Sequence, residues 1–191
     1  SANYAFFPMT GALGELAWNT SSDYILIAAP MFIMMGELMH RSGLSERLFS
    51  ALSPWFARVP GRLVHTNIAA SAIFAATSGS SVATAATIGT VAIPNMDKGG
   101  YNRPLFLGSI AAGGTLGILI PPSINMIFYA VLTDTSVADL YAAGFIPGFM
   151  LAGLFSLAVF ALALWRPSWA GPKVDPSKLW SERVAGLRHL V

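Results

Sequence analysis

The sequence predicts an all-α integral membrane protein in which transmembrane helices accompany a re-entrant helical hairpin and a discontinuous helix. Three observations predict it. Asp, Glu, Lys and Arg make up 10% of the 191 residues, against about 25% in soluble domains. Hydrophobic residues make up 54% and the mean hydropathy is +0.61, more apolar surface than so short a chain encloses in water. Finally, two of the uncharged stretches are too long for one crossing, and both are interrupted by residues that break helices.

Composition also excludes several functions. The net charge of +2 is a small surplus in a charge-poor chain, no block of five or more like charges occurs, and nucleic acid is not an expected partner. Cysteine is absent, which removes disulfide frameworks, cysteine zinc sites and thiol catalysis. The sequence opens on Ser1 without a secretory signal pattern and reads as a piece of something longer.

The charges leave gaps at Tyr24 to Gly36, Leu63 to Met96, Pro104 to Thr133 and Tyr141 to Trp165. A span needs about 20 residues for a hydrocarbon core of roughly 30 Å. Tyr24 to Met39 meets this with snorkelling flanks, and Glu37 lies near its end. Ser45 to Ala57 carries Leu48, Leu52, Trp55 and Phe56 at helical spacing between Arg47 and Arg58. That pattern predicts an amphipathic helix along the cytoplasmic interface, or a surface helix capping a bundle. Pro60-Gly61 then turns the chain.

Leu63 to Met96 would make a straight helix of about 51 Å. The Ser78-Gly79-Ser80-Ser81 turn at its midpoint offers the alternative, a helix that enters, turns and leaves on the same side. Charge placement decides between the two. If the segment re-enters, all 11 basic residues, from Arg41 to Arg188, share one face, and Glu15, Asp23, Asp134 and Asp139 lie on the other. If it spans, Lys98, Arg103 and everything from Arg166 onward change sides. The positive-inside rule selects the hairpin. It puts the N-terminus outside and the loops at 40–62, 97–103 and 166–191 in the cytoplasm.

Pro104 to Thr133 contains Gly113-Gly114-Thr115-Leu116-Gly117 and then Pro121-Pro122-Ser123. Proline lacks the N–H and restrains its predecessor. Two short helices are expected, Pro104 to about Ala112 and Ser123 to about Leu132, with an extended linker between them. Gly144 to Trp165 spans comfortably.

Exposed backbone within the bilayer is tolerated only where protein or a watery cavity satisfies it. The two breaks should therefore meet and expose four helix ends. The C-terminal ends near Ser78 and Gly114 offer carbonyls, and the N-terminal ends near Ser81 and Ser123 offer N–H groups. Carbonyls and hydroxyls suit a desolvated Na⁺; N–H groups suit a carboxylate. Ser78, Ser80, Ser81, Thr84 and Thr115 add neutral oxygens. Neither gap holds a charged residue, so no carboxylate proton relay runs through them. The alanines flanking the turn, including Ala69, Ala75 and Ala85, read as helix-packing surface. His40, His65 and His189 read as interfacial and snorkelling, and Glu37 as an interfacial ion pair beside His40 and Arg41.

A Walker A loop is absent, because no Lys follows Gly and precedes Ser or Thr. The Gly79-Ser80-Ser81 turn also suits an intramembrane serine hydrolase. That chemistry needs a histidine at the same depth, and His65 is roughly 22 Å away along a helix.

Several motifs carry a resemblance. Pro30-Met31-Phe32-Ile33-Met34-Met35-Gly36-Glu37-Leu38-Met39, Ser42-Gly43-Leu44, the run Ala75 to Ala86, and above all Ala111 to Ser123 resemble the large permease subunit of TRAP (tripartite ATP-independent periplasmic) transporters, the DctM type. The resemblance runs from about Ile25 to Gly148, with the motifs in the family's order. It implies a secondary transporter of the bacterial inner membrane, multi-pass and not an enzyme, with two inverted repeats and an elevator motion. This chain would hold the first repeat.

It also implies Na⁺ as coupling ion, no other cofactor, and import of an organic acid such as a C4-dicarboxylate or sialic acid. The implied partners are a periplasmic substrate-binding protein, a small TRAP membrane subunit and the lipid bilayer. Carried over by position, one Na⁺ site lies between Ser78, Gly79, Ser80 and Ser81 of the turn and Gly114, Thr115, Gly117 and Pro121 of the linker. Substrate lies beside these tips, near Ser81, Thr84, Ser123 and Asn125. The organisation implied is a scaffold helix and interfacial arm helix over 1–62, and transport-domain elements over 63–133 (hairpin 63–96, broken helix 104–133). A following transmembrane helix covers 134–166 and a cytoplasmic connector 167–191.

Overall fold

The computed structural model describes residues 3–22, 24–169 and 171. Among these the chain is helical with no strand. The α-helices are α1 (Asn3–Ser21), α2 (Ala28–Arg41), α3 (Leu44–Phe56), α4 (Leu63–Ser78), α5 (Ser81–Gly99), α6 (Arg103–Leu119), α7 (Ile124–Thr133) and α8 (Val137–Trp165), with 3-10 turns at Tyr24–Ile27 and Pro167–Trp169. The expected connector over 167–191 falls mostly outside the described residues.

The core is built around α4. Val64, Ile68, Ala70, Phe74 and Ala75 are all buried, and α2, α3, α5, α6 and α8 all pack against this helix. A helix covered on nearly every side has no polar face to present, which is why its hydrophobic pattern shows no period. An unpaired buried polar group costs about 1–3 kcal/mol, and within α4 the Asn67 Oδ1 and the Ser71 hydroxyl find no partner among the described residues. Asn67, fully buried, donates from Nδ2 to Ser109 Oγ of α6 at 2.8 Å, and Ser109 donates in turn to the Phe106 carbonyl at 2.7 Å.

Helix α3 packs on α4 and α5. Its buried face is Ser45, Phe49 and Ala51, while Trp55 stays exposed. Of the expected stripe, Leu52 packs against the main core, Phe56 stacks on His65 and Leu48 is half-buried, while Trp55 falls outside it and Phe49, not expected there, is buried in the core. Of the two expected roles, the capping helix is the one this packing resembles. His65 does not snorkel: it is buried, bonds the Pro60 carbonyl through Nε2 at 2.8 Å, and stacks on Phe56.

Helices α4 and α5 are joined through Gly79 and Ser80 and pack on each other, and Tyr101, just beyond the end of α5, bonds back to Leu63 at the start of α4. Helix α6 corrects the expected break. The glycine run does not end the helix near Ala112; α6 continues to Leu119. A helical glycine costs about 1 kcal/mol relative to alanine, but here each one faces a neighbour that leaves no room for a Cβ. A Cβ on Gly113 would lie 2.5 Å from Ser71 Oγ, one on Gly114 2.7 Å from the Ala85 Cβ, and one on Gly117 2.7 Å from the Ser80 carbonyl carbon. The glycines are used for approach, and the break shrinks to residues 120–123, where Pro121 and Pro122 supply no N–H.

Helix α8 starts earlier than expected because the Ser136 hydroxyl caps it, accepting the Asp139 N–H at 3.4 Å. Its 29 residues span about 43 Å. The α6–α7 line and α8 are both long and apolar enough to cross a membrane.

One end of the bundle gathers the hairpin base, the loop before α6 and the end of α8. Arg62 donates to the Gly171 carbonyl at 2.6 Å, and the Tyr101 side chain makes a backbone hydrogen bond with Leu63. Burial raises the Tyr101 phenol above its ordinary pKa, against the pull of that bond and of Arg62. The ion pairs Arg41–Glu37 and Arg103–Asp97 are exposed and worth little stability.

Candidate functional site

The hairpin turn begins with Gly79, the C-cap of α4. Its φ of 60° is left-handed, and its N–H returns to the Ala75 carbonyl at 3.0 Å. Ser80 follows in extended conformation as the N-cap of α5, its hydroxyl accepting the Ala83 N–H at 3.4 Å. Thr84, fully buried, donates its hydroxyl to the Ser80 carbonyl at 2.7 Å and accepts from Ser78 Oγ at 2.9 Å. The turn thus holds its own hydroxyls in a chain.

The second break sits directly on this turn. The Ile124 N–H, at the first position of α7, donates to the Gly79 carbonyl at 3.1 Å. A Cβ on Gly79 would lie 2.9 Å from the Pro122 carbonyl oxygen, and one on Gly117 2.8 Å from the Ser80 carbonyl oxygen and the Ser81 nitrogen. Backbone therefore meets backbone on both sides of the turn. Gly79 keeps a second carbonyl lone pair beyond the one used by Ile124. The Ser123 hydroxyl, fully buried, finds no hydrogen-bond partner among the described residues.

The residues expected in the Na⁺ and substrate sites are brought together unequally. Ser78, Gly79, Ser80, Ser81, Gly114 and Gly117 converge at the turn. Pro121 is buried in the linker beside it. Thr115 is exposed and folds its hydroxyl back onto the Ala112 carbonyl at 2.7 Å. It lies between Gly114 and Gly117, which face the turn, so its own helical position turns outward. Ser123 is buried at the start of α7, whereas Asn125 is exposed in its first turn. Thr84 points inward, into the hairpin. With α6 ending at Leu119, the fourth helix end is near Ile120, not Gly114.

Three features of the site escaped sequence reasoning. Helix α2 lies against the turn, where a Cβ on Gly36 would be 3.3 Å from Ser78 Cα. Beside that contact is a cavity of about 260 Å³ lined by Ile33, Gly36, Glu37, His40, Ser78, Ser80, Ala83, Ala86 and Thr87. His40 is not merely interfacial, since its Nδ1 and Thr87 Oγ1 share a hydrogen bond of 3.0 Å. Finally, Gly144 and Gly148 of α8 seat the linker: a Cβ on Gly144 would be 2.9 Å from the Leu119 carbonyl, and one on Gly148 3.0 Å from Ile120 Cγ1. The four-residue glycine spacing is the signal that could have found this contact.

Chemically, the junction is a set of neutral oxygens and helix ends with no charged side chain within the turn or the linker. It suits a small hard cation or a carboxylate better than proton relay. A hydrolase is not supported. Ser80 shares a cavity with His40, yet the Ser80 hydroxyl caps α5 and His40 is bonded to Thr87.

Residues 2–190 match a model of the family described as tripartite ATP-independent periplasmic transporter, DctM component. The chain is 38% identical over 158 residues to the C4-dicarboxylate TRAP transporter large permease protein DctM of Pseudomonas aeruginosa, covering 83% of this chain and 37% of that protein. It is 32% identical to the ectoine TRAP transporter large permease protein TeaC of Halomonas elongata, over 96% of this chain and 43% of that one. The sialic acid TRAP transporter permease protein SiaT of Haemophilus influenzae is 34% identical, over 94% and 30% respectively. The chain thus spans less than half the length of these relatives, which are named as transporter permeases and not as enzymes.

Proposed function

Because this chain belongs to the DctM family of tripartite ATP-independent periplasmic transporters, we propose that it forms the first hairpin and broken helix of a Na⁺-coupled permease that imports an organic acid. The observation that carries the reading is the bond from Ile124 N–H to the Gly79 carbonyl, which ties the two helix breaks into one junction. Na⁺ is held there by oxygens of Ser78, Gly79, Ser80 and Ser81 and of the opposing linker. The unpartnered Ser123 hydroxyl at the α7 N-terminus supports a carboxylate nearby. The two breaks lie in apolar helices, where an unused polar junction would be costly.

The segments 63–133 act as the moving transport unit against 1–62, and the elevator motion separates α2 from the hairpin. The chain sits in the bacterial inner membrane, with a small membrane subunit and a periplasmic binding protein as partners. In support of a re-entrant hairpin, Arg62, Tyr101 and Gly171 meet at one end of the bundle, which puts the neighbouring basic residues Lys98, Arg103 and Arg166 at that end too. Positive-inside logic makes it cytoplasmic.

Two measurements test this. In vesicles containing the full-length permease with its partners, a Na⁺ gradient drives uptake of labelled succinate or sialic acid. Ser80→Val raises the Na⁺ concentration for half activation about tenfold, equivalent to about 1.4 kcal/mol. Uptake indifferent to Na⁺ in the unmutated protein removes the coupling. For topology, Lys98→Cys is labelled by an impermeant maleimide only from the cytoplasmic face; periplasmic labelling makes the hairpin a crossing.

A further inference from the structure

The last turn of α8 ends in a stack that the transport reading does not use. The Arg166 guanidinium lies 4.9 Å from the Trp169 ring centroid and 5.7 Å from that of Trp165. Both distances are within cation–π range. The backbone that carries this stack is fixed. Trp169 N–H bonds the Arg166 carbonyl at 3.0 Å, Arg62 holds the Gly171 carbonyl at 2.6 Å, and a Cβ on Gly171 would run into the Tyr101 ring. The end of α8 is thereby pinned to the hairpin base.

Arg166 is exposed beside both rings, and a guanidinium presents its N–H groups in a planar fork that can meet a phosphate in two parallel hydrogen bonds. Leu157, Phe160 and Leu164 are exposed along the same helix at spacings of three and four, and Trp165 is 77% exposed. An apolar stripe therefore leads to a cation flanked by indoles. A free phosphate would use the cation alone; a lipid uses both parts, acyl chain along the stripe and phosphate on the guanidinium.

We infer that Trp165, Arg166 and Trp169 form a binding site for the headgroup of an anionic phospholipid at the bilayer surface. The inference rests on α8 crossing the membrane, and is independent of what the junction binds. One basic side chain near an anionic surface contributes a factor of about five in affinity.

The test uses the full-length permease purified in detergent and titrated with phosphatidylglycerol or phosphatidylcholine, with bound lipids counted by native mass spectrometry. The unmutated protein retains phosphatidylglycerol preferentially. Arg166→Gln weakens that retention about fivefold and Trp169→Ala weakens it too, with helix content by circular dichroism unchanged. Arg103→Gln, at the same end but paired with Asp97, leaves it intact. Excess inorganic phosphate does not displace the lipid. Equal retention of the two lipids, an equal loss in Arg103→Gln, or displacement by phosphate each overturns the proposal. Na⁺-driven uptake is read separately after the same protein is reconstituted into vesicles with its partners, so a failed lipid site leaves the transport reading standing.

Discussion

Gly117→Ala is expected to abolish Na⁺-driven uptake by the full-length permease and to lower its melting temperature. The added methyl would sit 2.7 Å from the Ser80 carbonyl carbon and 2.8 Å from both the Ser80 oxygen and the Ser81 nitrogen. All three are backbone atoms of the turn, so no side chain can rotate away. Either α6 withdraws from the hairpin or the turn is pushed off the linker, and overpacking of this kind costs about 1–3 kcal/mol. The functional loss is expected to be larger than the stability loss, because the displaced atoms are the oxygens that the junction presents. Gly108→Ala is the control. Nothing lies within 4 Å of its Cβ position, so that change follows helix propensity alone and stabilises α6 by up to about 1 kcal/mol. Uptake near the unmutated level in Gly117→Ala would show that the turn and α6 are not held together during transport.

Much of this fold is legible in the sequence because charge and breaker residues are informative in a chain with so few charges. The turn at Ser78 to Ser81, the helix boundaries near Leu63 and Ile124, and the pairing of two breaks follow from where polar and helix-breaking residues interrupt apolar ones. What escapes is side-to-side packing. Gly113, Gly114 and Gly117 signal a helix break when read along the chain, yet they signal contact once Ser71, Ala85 and Ser80 lie opposite. On α3 the expected stripe includes Trp55, which stays exposed, and omits Phe49, which is drawn inward by a core that local periodicity does not contain. Thr115 shows the corresponding limit at the site. As a hydroxyl beside a break it invites assignment to the junction, but with α6 unbroken at that point, helical geometry turns it outward while Gly114 and Gly117 face the hairpin. The partnership of His40 with Thr87 spans elements far apart in the chain, and only tertiary structure reveals it.

Ile124→Pro isolates the one hydrogen bond that joins the two breaks. Elsewhere in a helix proline is disruptive, but Ile124 is the first residue of α7, where proline's missing N–H and fixed φ are tolerated. The preceding Ser123 is already extended, at φ −126° and ψ 128°, the conformation a following proline requires. The helix should therefore survive while the N–H donated to the Gly79 carbonyl is removed and ring carbon takes its place. A buried carbonyl deprived of its donor costs about 1–3 kcal/mol, and 2 kcal/mol corresponds to about a thirtyfold change in an equilibrium. If the bond holds the turn and linker in register for Na⁺, that cost appears as a rise of the same order in the Na⁺ concentration for half-maximal uptake, with circular dichroism unchanged. Asn125→Ala, one residue along on the exposed side of α7, should shift it little. A proline variant with normal Na⁺ activation would mean that the two breaks lie side by side without acting as a unit, and the Na⁺ site would then have to be built from the hairpin turn alone.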